Sequence, residues 1–373
     1  MRTTTLALAL ATSALLVWSL ASGSRGDRVA TPIPSANGRT DSGGIGNTAN
    51  SEGMNGRSGG GGPAMSAQPN QPVEMGQVRW GRDLDAAKDE ARRTGRPLFV
   101  LFQEIPGCST CQNFGRGPLS HPLVVEAIET EFVPVLVYNN RDGEDGRVRQ
   151  SLAEPAWNNP VIRFLDVDGR DVLPRRDGVW STEGVVTRMV NALEAADRTV
   201  PDYLRLVRDE TATSETSQVT LAVHCFWEGA AAVGGIDGVT DVEAAFLGGR
   251  EVVDVTYAAN VDADALLAEA TRRAHPSGIY AADAKQFEAA DKATPGGATV
   301  DREIAGGATA EKIALLPQPT RRAPDSDQLY YLRHSPYAKL ELTRLQQIRV
   351  NAALGTGGSP ERWLSPRQRA QLP

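Results

Sequence analysis

The feature that most limits the fold of this chain is a long stretch that cannot form a hydrophobic core. Residues 22–75 are rich in Gly, Ser, Asn and Pro, and nine of the twenty residues from Gly43 to Gly62 are glycine. Such a segment buries too little apolar surface to offset the entropy that is lost on ordering. We therefore expect residues 22–75 to be a disordered linker and the folded part to begin near Val78.

The residues before this linker have the pattern of an export signal. Arg2 supplies a positive charge, Leu6–Leu20 is largely apolar, and Ser19-Leu20-Ala21 has small residues at the spacing of a cleavage site. These features predict a signal peptide over residues 1–21 and an exported protein in the periplasm or cell envelope. The apolar run is short for a membrane span, so a membrane is a partner only if the signal stays uncleaved.

Charge and cysteine content exclude several classes of protein. The 46 Asp and Glu residues outnumber the 39 Lys and Arg residues, which is unlike the basic character of nucleic-acid-binding proteins. Three cysteines are too few for a disulfide-dense scaffold or a four-cysteine structural zinc site. We therefore expect no nucleic-acid partner, no cofactor and no resident metal ion.

Apolar patterns after residue 76 alternate between helix and strand. Leu98–Phe102 and Phe132–Tyr138 are short continuous apolar runs, which are typical of buried strands. The predicted order is helix 83–94, strand 98–102, helix 121–131, strand 132–138, strand 161–167 and helix 181–195. This order indicates an α/β domain over residues 76–200. The polar residues 196–217 that follow are expected to be a linker or an outer helix.

A Cys-x-x-Cys motif, formed by Cys108 and Cys111, follows the first predicted strand. Two thiols at this spacing can close a small disulfide loop, and a helix that begins at Cys108 stabilises its thiolate through the helix dipole. Cys111, one turn further on, is expected to be more buried and to resolve a mixed disulfide. The motif thus predicts a redox pair. A structural disulfide, half of a metal site and a chance spacing are the alternatives.

Residues 78–195 resemble a thioredoxin-like domain. Trp80, Arg96-Pro97 and the strand Leu98–Phe102 stand where domains of this type open. Asn159-Pro160 precedes a predicted strand, as the cis-proline of thioredoxin does. The resemblance implies that Pro160 is cis, faces the first cysteine of the motif and presents backbone to an extended substrate.

The loop that carries the cysteines has a second resemblance. The string Ile105–Cys111 is similar to the VPGUxxT type of thioredoxin-like (seleno)protein. Cys108 then occupies the selenocysteine position, which implies that it is the attacking group. Gly107 stands where ordinary thioredoxin has Trp, so the choice of partner is not implied by the resemblance.

A second pattern of strands and helices starts near residue 217. The predicted order is strand 219–223, helix 226–233, strand 239–246, strand 251–257 and helix 263–274. Cys225 stands between the first strand and the first helix, where the helix dipole again favours a thiolate. Phe226 and Trp227 form either an apolar wall for a small methylated group or part of the core.

Residues 219–280 resemble a truncated peptide methionine sulfoxide reductase of the A type. Cys225-Phe226-Trp227 matches the centre of a motif of that family, and Gly249–Tyr257 resembles one of its strands. The resemblance implies a small ferredoxin-like domain over residues 217–285. It also implies that Cys225 attacks a sulfoxide sulfur, that Glu251 holds and protonates the oxygen, and that the two aromatic residues hold the methyl group. A sulfenic acid on Cys225 could then be reduced by the Cys-x-x-Cys pair.

The remaining residues, 286–373, are predicted to be a loop-rich tail with a helix over Thr343–Leu354, whose arginines form a solvated face.

The fold class is thus α/β and α+β: a thioredoxin-like domain, a small ferredoxin-like domain and a disordered N-terminal linker. The predicted function is an exported thiol–disulfide oxidoreductase. A methionine sulfoxide reductase and a non-enzymatic metal-binding or interaction module are the alternatives. Expected partners are protein thiols or disulfides, protein methionine sulfoxide and an external electron donor.

Overall fold

The computed structural model describes residues 71–212, 215–282, 303–304, 308–309 and 313–373. The predicted signal peptide and the predicted linker up to residue 70 lie outside these residues. Residues 71–75, which the sequence assigns to the linker, lie within the described part of the chain. Val73–Met75 forms a 3₁₀ helix, and the side chain of Glu74 is buried. Order begins before residue 76 because this short helix packs against Gly115, where a side chain would collide with the carbonyl of Val73.

The first half of the chain forms a three-stranded sheet with helices around it. Its strand order is β2-β1-β3, with β1 parallel to β2 and antiparallel to β3. The elements are α1 (Leu84–Thr94), β1 (Leu98–Gln103), α2 (Ser109–Arg116), α3 (Pro122–Glu131), β2 (Val133–Tyr138), α4 (Glu144–Ser151), β3 (Val161–Leu165), α5 (Thr182–Ala195) and α6 (Asp202–Thr211).

Strand β1 is the centre of this sheet and is buried along its whole length. Successive side chains of a strand point to opposite faces. Phe99 and Leu101 join one apolar cluster, which includes residues of α3 and α5. Leu98, Val100 and Phe102 join a second cluster, which includes residues of α1. A strand that is covered on both faces has apolar residues at consecutive positions. This pattern explains why β1 was predicted from the sequence.

The second half forms a six-stranded sheet in the order β10-β7-β4-β6-β5-β11. The strands of this sheet and the helices between them are β4 (Thr216–Ala222), α7 (Phe226–Gly234), β5 (Val239–Leu247), β6 (Arg250–Ala258), α8 (Ala263–Ala274), β7 (Gly278–Ala281), β10 (Ile313–Leu315) and β11 (Arg321–Arg322). Strands β8 (Glu303–Ile304) and β9 (Ala308–Thr309) pair with each other in a separate two-stranded sheet. The four central strands and two helices follow the order β-α-β-β-α-β, with neighbouring strands antiparallel. This is the ferredoxin-like arrangement that was predicted.

The C-terminal segment is part of the core of this second unit. It contains α9 (Tyr330–Arg333), α10 (Arg344–Thr356) and α11 (Pro366–Arg369). Leu345, Ile348 and Leu364 belong to the same apolar cluster as the helices and strands of the sheet. The helix predicted over Thr343–Leu354 is therefore present as α10, and it packs mainly against α7, where Ile348 and Ala352 lie close to Gly234.

The prediction that the arginines of this helix form a solvated face is wrong. Arg349 is buried and donates hydrogen bonds to the carbonyl of Gly234 and, at 3.0 Å, to the carbonyl of Val239. Arg344 donates to Asp241 at 2.6 Å. Backbone carbonyls at the end of a helix lack intrahelical partners, and the guanidinium of Arg349 supplies one for the end of α7.

Helix α6 lies where the sequence left open a linker or an outer helix. Tyr203, Leu204 and Val207 are buried in the cluster of the first sheet, whereas Leu206 is buried in the cluster of the second sheet. The Glu210 carboxylate accepts a hydrogen bond at 3.2 Å from the first turn of α10. Helix α6 is thus shared by the two hydrophobic cores.

Candidate functional site

The two cysteines of the Cys-x-x-Cys motif lie at the start of α2. Cys108 is the N-cap residue and is exposed, whereas Cys111 is fully buried. Both are free thiols, and their sulfur atoms are 3.8 Å apart. The two side chains therefore meet as the sequence predicted, with one sulfur accessible to a substrate and one behind it.

The environments of the two thiols shift their pKa values in opposite directions. A hydrogen bond from the backbone N–H of Cys111 is the main cause that lowers the pKa of Cys108. Burial is the main cause that raises the pKa of Cys111 to about 12. At neutral pH the exposed sulfur is thus the better nucleophile, because the thiolate is the reactive form.

Buried polar side chains hold the loop that carries the cysteines. The Gln103 amide donates to the Cys111 carbonyl at 3.2 Å and to the Glu74 carbonyl at 2.7 Å. The Glu74 carboxylate, which is only 4% exposed, accepts a hydrogen bond at 2.9 Å from the N–H of Gly107. The 3₁₀ helix Val73–Met75 therefore positions the residue immediately before Cys108, a contact that no local sequence pattern indicates.

Gly107 has a steric reason to be glycine. A Cβ atom at this position would lie 2.6 Å from the Cβ of Cys111 and 3.2 Å from its sulfur. The first of these distances is far inside van der Waals contact. The Trp found at this position in ordinary thioredoxin would not fit above the buried cysteine of this chain.

Pro160 follows a cis peptide bond, as was expected from the resemblance. The loop before it is held by Asn139, which donates to the carbonyl of Asn158 at 2.8 Å. Glu154 is also part of this loop, and its fully buried carboxylate pairs with Arg175 at 2.6 Å. The backbone around Pro160 is thus fixed by contacts to neighbouring elements. The role of Pro160 in substrate binding stays a prediction.

Two exposed tryptophans flank Pro160 in the sequence, and the sequence analysis did not single them out. Trp157 is 81% exposed and Trp180 is 48% exposed, the two large hydrophobic residues with the highest exposure among the described residues. The indole of Trp180 donates to the carbonyl of Pro160 at 3.3 Å. Exposed aromatic side chains are common at binding surfaces, so these residues are candidates for contact with a protein substrate.

A carboxylate that the sequence analysis missed completes the cluster at the cysteines. Glu104 directly follows β1 and is half-buried. One of its oxygen atoms and the sulfur atoms of Cys108 and Cys111 all lie within 4.8 Å of one another. The spacing of Glu104 and Cys108 in the sequence is unremarkable, and only the turn between β1 and α2 brings them together.

The third cysteine has a separate environment. Cys225 is half-buried and is the N-cap residue of α7. The Glu251 carboxylate on β6 accepts a hydrogen bond at 2.8 Å from the N–H of Phe226, the first residue of that helix. The structure therefore brings Cys225 and Glu251 to the same helix end, although nothing in it tests their predicted roles in catalysis.

The two aromatic residues after Cys225 are packed within the fold. Phe226 is buried and meets Phe246 edge to face, with ring centroids 5.4 Å apart. Trp227 stacks on Tyr330 of α9 at 4.0 Å. Burial is the main cause that raises the pKa of Tyr331, and the nearby Glu228 and Cys225 contribute to the same shift. The C-terminal segment thus supplies two tyrosines to the surroundings of Cys225, which the sequence did not indicate.

The three cysteines do not converge on one point. Cys225 is not part of the cluster of potential ligands formed by Glu104, Cys108 and Cys111 in the described part of the chain. A three-cysteine metal site, which would have favoured the metal-binding alternative, is therefore not formed. Among the described residues, no helix combines the length and the apolar character that a membrane crossing requires.

Comparisons with known proteins match part of the chain. A family model described as thioredoxin-like matches residues 79–167. A DsbH oxidoreductase of known structure matches with 14% identity and a TM-score of 0.28, covering 35% of this chain and 95% of that one. No match was found among curated proteins. With the sheet and the cysteine pair described above, the family match shows that residues 79–167 form a thioredoxin-like domain.

Proposed function

We propose that this protein is a thiol–disulfide oxidoreductase and that Cys108 and Cys111 are its redox pair. The observation that carries the proposal is the position of the pair: an exposed sulfur at the N-terminus of α2 lies 3.8 Å from a buried one. The similarity of the loop to the VPGUxxT type is in keeping with Cys108 as the attacking group. We also propose that the protein is exported, on the basis of residues 1–21.

The reaction consists of two exchanges. The Cys108 thiolate attacks a substrate disulfide, which forms a mixed disulfide and releases one substrate thiolate. The Cys111 sulfur then attacks Cys108, which closes the Cys108–Cys111 disulfide and releases the second substrate thiolate. Two electrons pass from the pair to the substrate. An external dithiol must reduce the pair for another cycle, and in the reverse direction the oxidised pair oxidises a substrate dithiol.

The test of this function is to trap the intermediate. A full-length Cys111→Ser variant is mixed with a protein that has an accessible disulfide. We expect a covalent adduct through Cys108, seen by non-reducing electrophoresis and peptide mass spectrometry, because the resolving sulfur is missing.

Two further variants serve as controls for the trap. Cys108→Ser is expected to form no adduct, and Cys225→Ser in the Cys111→Ser background is expected to form as much as Cys111→Ser alone. An adduct through Cys225, or none with any disulfide protein tested, would contradict the proposal.

A second candidate function is reduction of methionine sulfoxide at Cys225. The observation that favours it is the contact of Glu251 with the first turn of α7, beside Cys225. Cys225 would attack the sulfoxide sulfur, which yields a thioether and a sulfenic acid on Cys225. Cys108 would condense with that acid and release water, and Cys111 would then displace Cys225. Because Cys225 lies outside the cluster at Cys108, this relay requires the two sites to approach each other.

A thiol count separates the two functions. The reduced protein is given one equivalent of a methionine sulfoxide peptide without another reductant. Loss of two thiols with one Met formed, abolished by Cys225→Ser, is expected for the relay. If all three thiols remain, sulfoxide reduction is excluded for this substrate, whereas the trapping result at Cys108 is unaffected.

A further inference from the structure

We propose that the reduced Cys108–Cys111 pair and Glu104 form a binding site for one Zn²⁺ ion. This site is an addition to the redox function, and it does not depend on that function. The sequence offered only half of a metal site, because two cysteines at this spacing need further ligands. The fold supplies a third ligand from the residue that follows β1.

The separations of the ligand atoms fit a tetrahedral ion. Two thiolates bound to zinc at about 2.3 Å lie about 3.8 Å apart in tetrahedral geometry. The sulfur atoms of Cys108 and Cys111 are 3.8 Å apart without any movement. A carboxylate oxygen at about 2.1 Å from the ion lies about 3.6 Å from each sulfur, and the Glu104 oxygen lies within 4.8 Å of both. Glu104 is therefore the residue placed to supply the third ligand.

The surrounding residues hold these ligands in place. The Gln103 amide fixes the carbonyl of Cys111, and the buried Glu74 carboxylate fixes the N–H of Gly107. Metal ligands that are supported by such hydrogen bonds bind more tightly than unsupported ones. The exposed sulfur of Cys108 provides an entry path for the ion. A tetrahedral ion with three protein ligands keeps its fourth position for water.

The donor set and its charge favour zinc over other divalent ions. Two thiolates are soft ligands, which select Zn²⁺ over Mg²⁺ and Ca²⁺. Two thiolates and one carboxylate carry three negative charges. They neutralise the two positive charges of the ion and leave a net charge of −1. Binding deprotonates a coordinating thiol outright, so the buried Cys111 becomes a ligand with the release of its proton.

Zinc binding and disulfide formation exclude each other in this site. An added disulfide reagent would take two electrons from the coordinated sulfurs of Cys108 and Cys111 and become two thiolates. The new sulfur–sulfur bond would break both zinc–sulfur bonds, and the ion would leave. The oxidised pair therefore cannot hold the metal, whereas the reduced pair can.

The experiment is a competition for Zn²⁺ between the fully reduced full-length chain and a chromophoric chelator, without oxygen. We expect one equivalent to bind, and we expect zinc to protect Cys108 from alkylation while Cys225 reacts. Glu104→Gln is expected to weaken binding at least about tenfold, because even outer-shell changes cost ten- to a hundredfold. Glu144→Gln, which removes an exposed carboxylate outside the cluster, and Cys225→Ser should bind like the unmodified chain.

Co²⁺ provides a measurement that does not rely on the variants. Its sulfur-to-metal charge-transfer absorption in the unmodified chain should have the intensity of two thiolates and should vanish when a disulfide reagent is added. Binding by Glu104→Gln equal to that of the unmodified chain would overturn the proposal. Protection of Cys225 from alkylation by zinc would also overturn it, as would failure of the reduced chain to compete with the chelator for Zn²⁺. Each of these results is distinct from a failure to trap the mixed disulfide.

Discussion

At the scale of the residue, the same thiol group has two different chemistries in Cys108 and Cys111. One is exposed at a helix N-terminus and the other is fully buried. Burial opposes the charged form of a thiol, whereas N–H groups that point at the sulfur favour it. The difference in exposure between the two sulfur atoms therefore follows from three residues of sequence separation and one helical turn.

The pH dependence of alkylation tests this difference. The pKa of Cys108 is lowered mainly by the N–H of Cys111, so its thiolate forms at lower pH than that of an ordinary cysteine. We expect the rate of alkylation of Cys108 to rise with pH around a midpoint below that of a free cysteine in a peptide, with a chelator present. Cys111, with its pKa raised to about 12, should stay unreacted at neutral pH. A midpoint for Cys108 above that of a free cysteine, measured by mass spectrometry, would contradict the assignment.

Gly107→Ala tests the packing of the loop above Cys111. The added methyl group would collide with the Cys111 side chain, which we expect to cost about 1–3 kcal/mol of unfolding free energy. Gly146→Ala on α4 is the matched control, because its Cβ would have nothing nearer than 3.7 Å. Chemical denaturation measures both variants, and equal stability of the two would show that the loop relaxes freely.

At the scale of the element, a few side chains hold each functional loop. The segment before β3 is tied by Glu154 and Asn139, and it leaves Trp157 exposed. A rigid loop with an exposed aromatic residue loses little entropy when it binds a partner. This segment is therefore suited to contact with a protein substrate.

Trp157→Ala tests that role. We expect KM for a protein disulfide to rise about three- to tenfold, which corresponds to about 1 kcal/mol of lost contact energy, with kcat unchanged. The rate with a small aromatic disulfide should be unaffected, because that substrate reaches Cys108 without the loop. An equal loss with both substrates would show that the variant disturbs the redox pair instead.

Glu251→Ala tests the start of α7. Removing the carboxylate leaves the N–H of Phe226 without its partner at a helix N-terminus, and such losses cost about 0.5–2 kcal/mol. Glu243→Ala is the control on the neighbouring strand β5, since its ion pair with Arg322 is exposed and contributes less than about 1 kcal/mol. If thermal unfolding shows no difference between the two variants, Glu251 does not cap the helix.

At the scale of the whole molecule, the two sheets are connected by α6 and by the C-terminal residues. The Arg367 N–H donates at 2.7 Å to the carboxylate of Glu126 on α3, which is 3% exposed. Gln368 and the fully buried Gln346 exchange two hydrogen bonds, at 2.8 and 3.0 Å. The end of the chain thus stabilises elements that are more than two hundred residues away in the sequence.

Removing residues 365–373 tests this connection. The buried groups of Glu126 and Gln346 each lose a partner, and a buried group left without one costs about 1–3 kcal/mol. We expect a loss of at least about 2 kcal/mol in chemical denaturation and faster amide exchange in α3. Arg367→Ala keeps the backbone N–H and should cost less than the truncation. An unchanged midpoint of chemical denaturation for the truncated chain would show that residues 365–373 do not stabilise the fold.

Short windows of sequence are sufficient to predict most of the elements and the exposure of the two cysteines in the Cys-x-x-Cys motif. The predicted bounds of α1 and α8 match the structure closely, and Cys108 and Cys111 have the exposure and burial that were expected. These features depend on apolar periodicity and helix ends, which are contained in short windows of sequence. The limits of the domains and the roles of the site residues stay predictions.

The distant residues that surround the cysteines could not be predicted from such windows. Glu74 reaches Gly107 across 33 positions, and Tyr330 reaches Trp227 across a longer separation. The burial of Arg349 and the place of α10 in the core were likewise not predicted. The physical reason is that such contacts depend on how finished elements pack against one another, whereas hydropathy patterns report only which face of each element is buried.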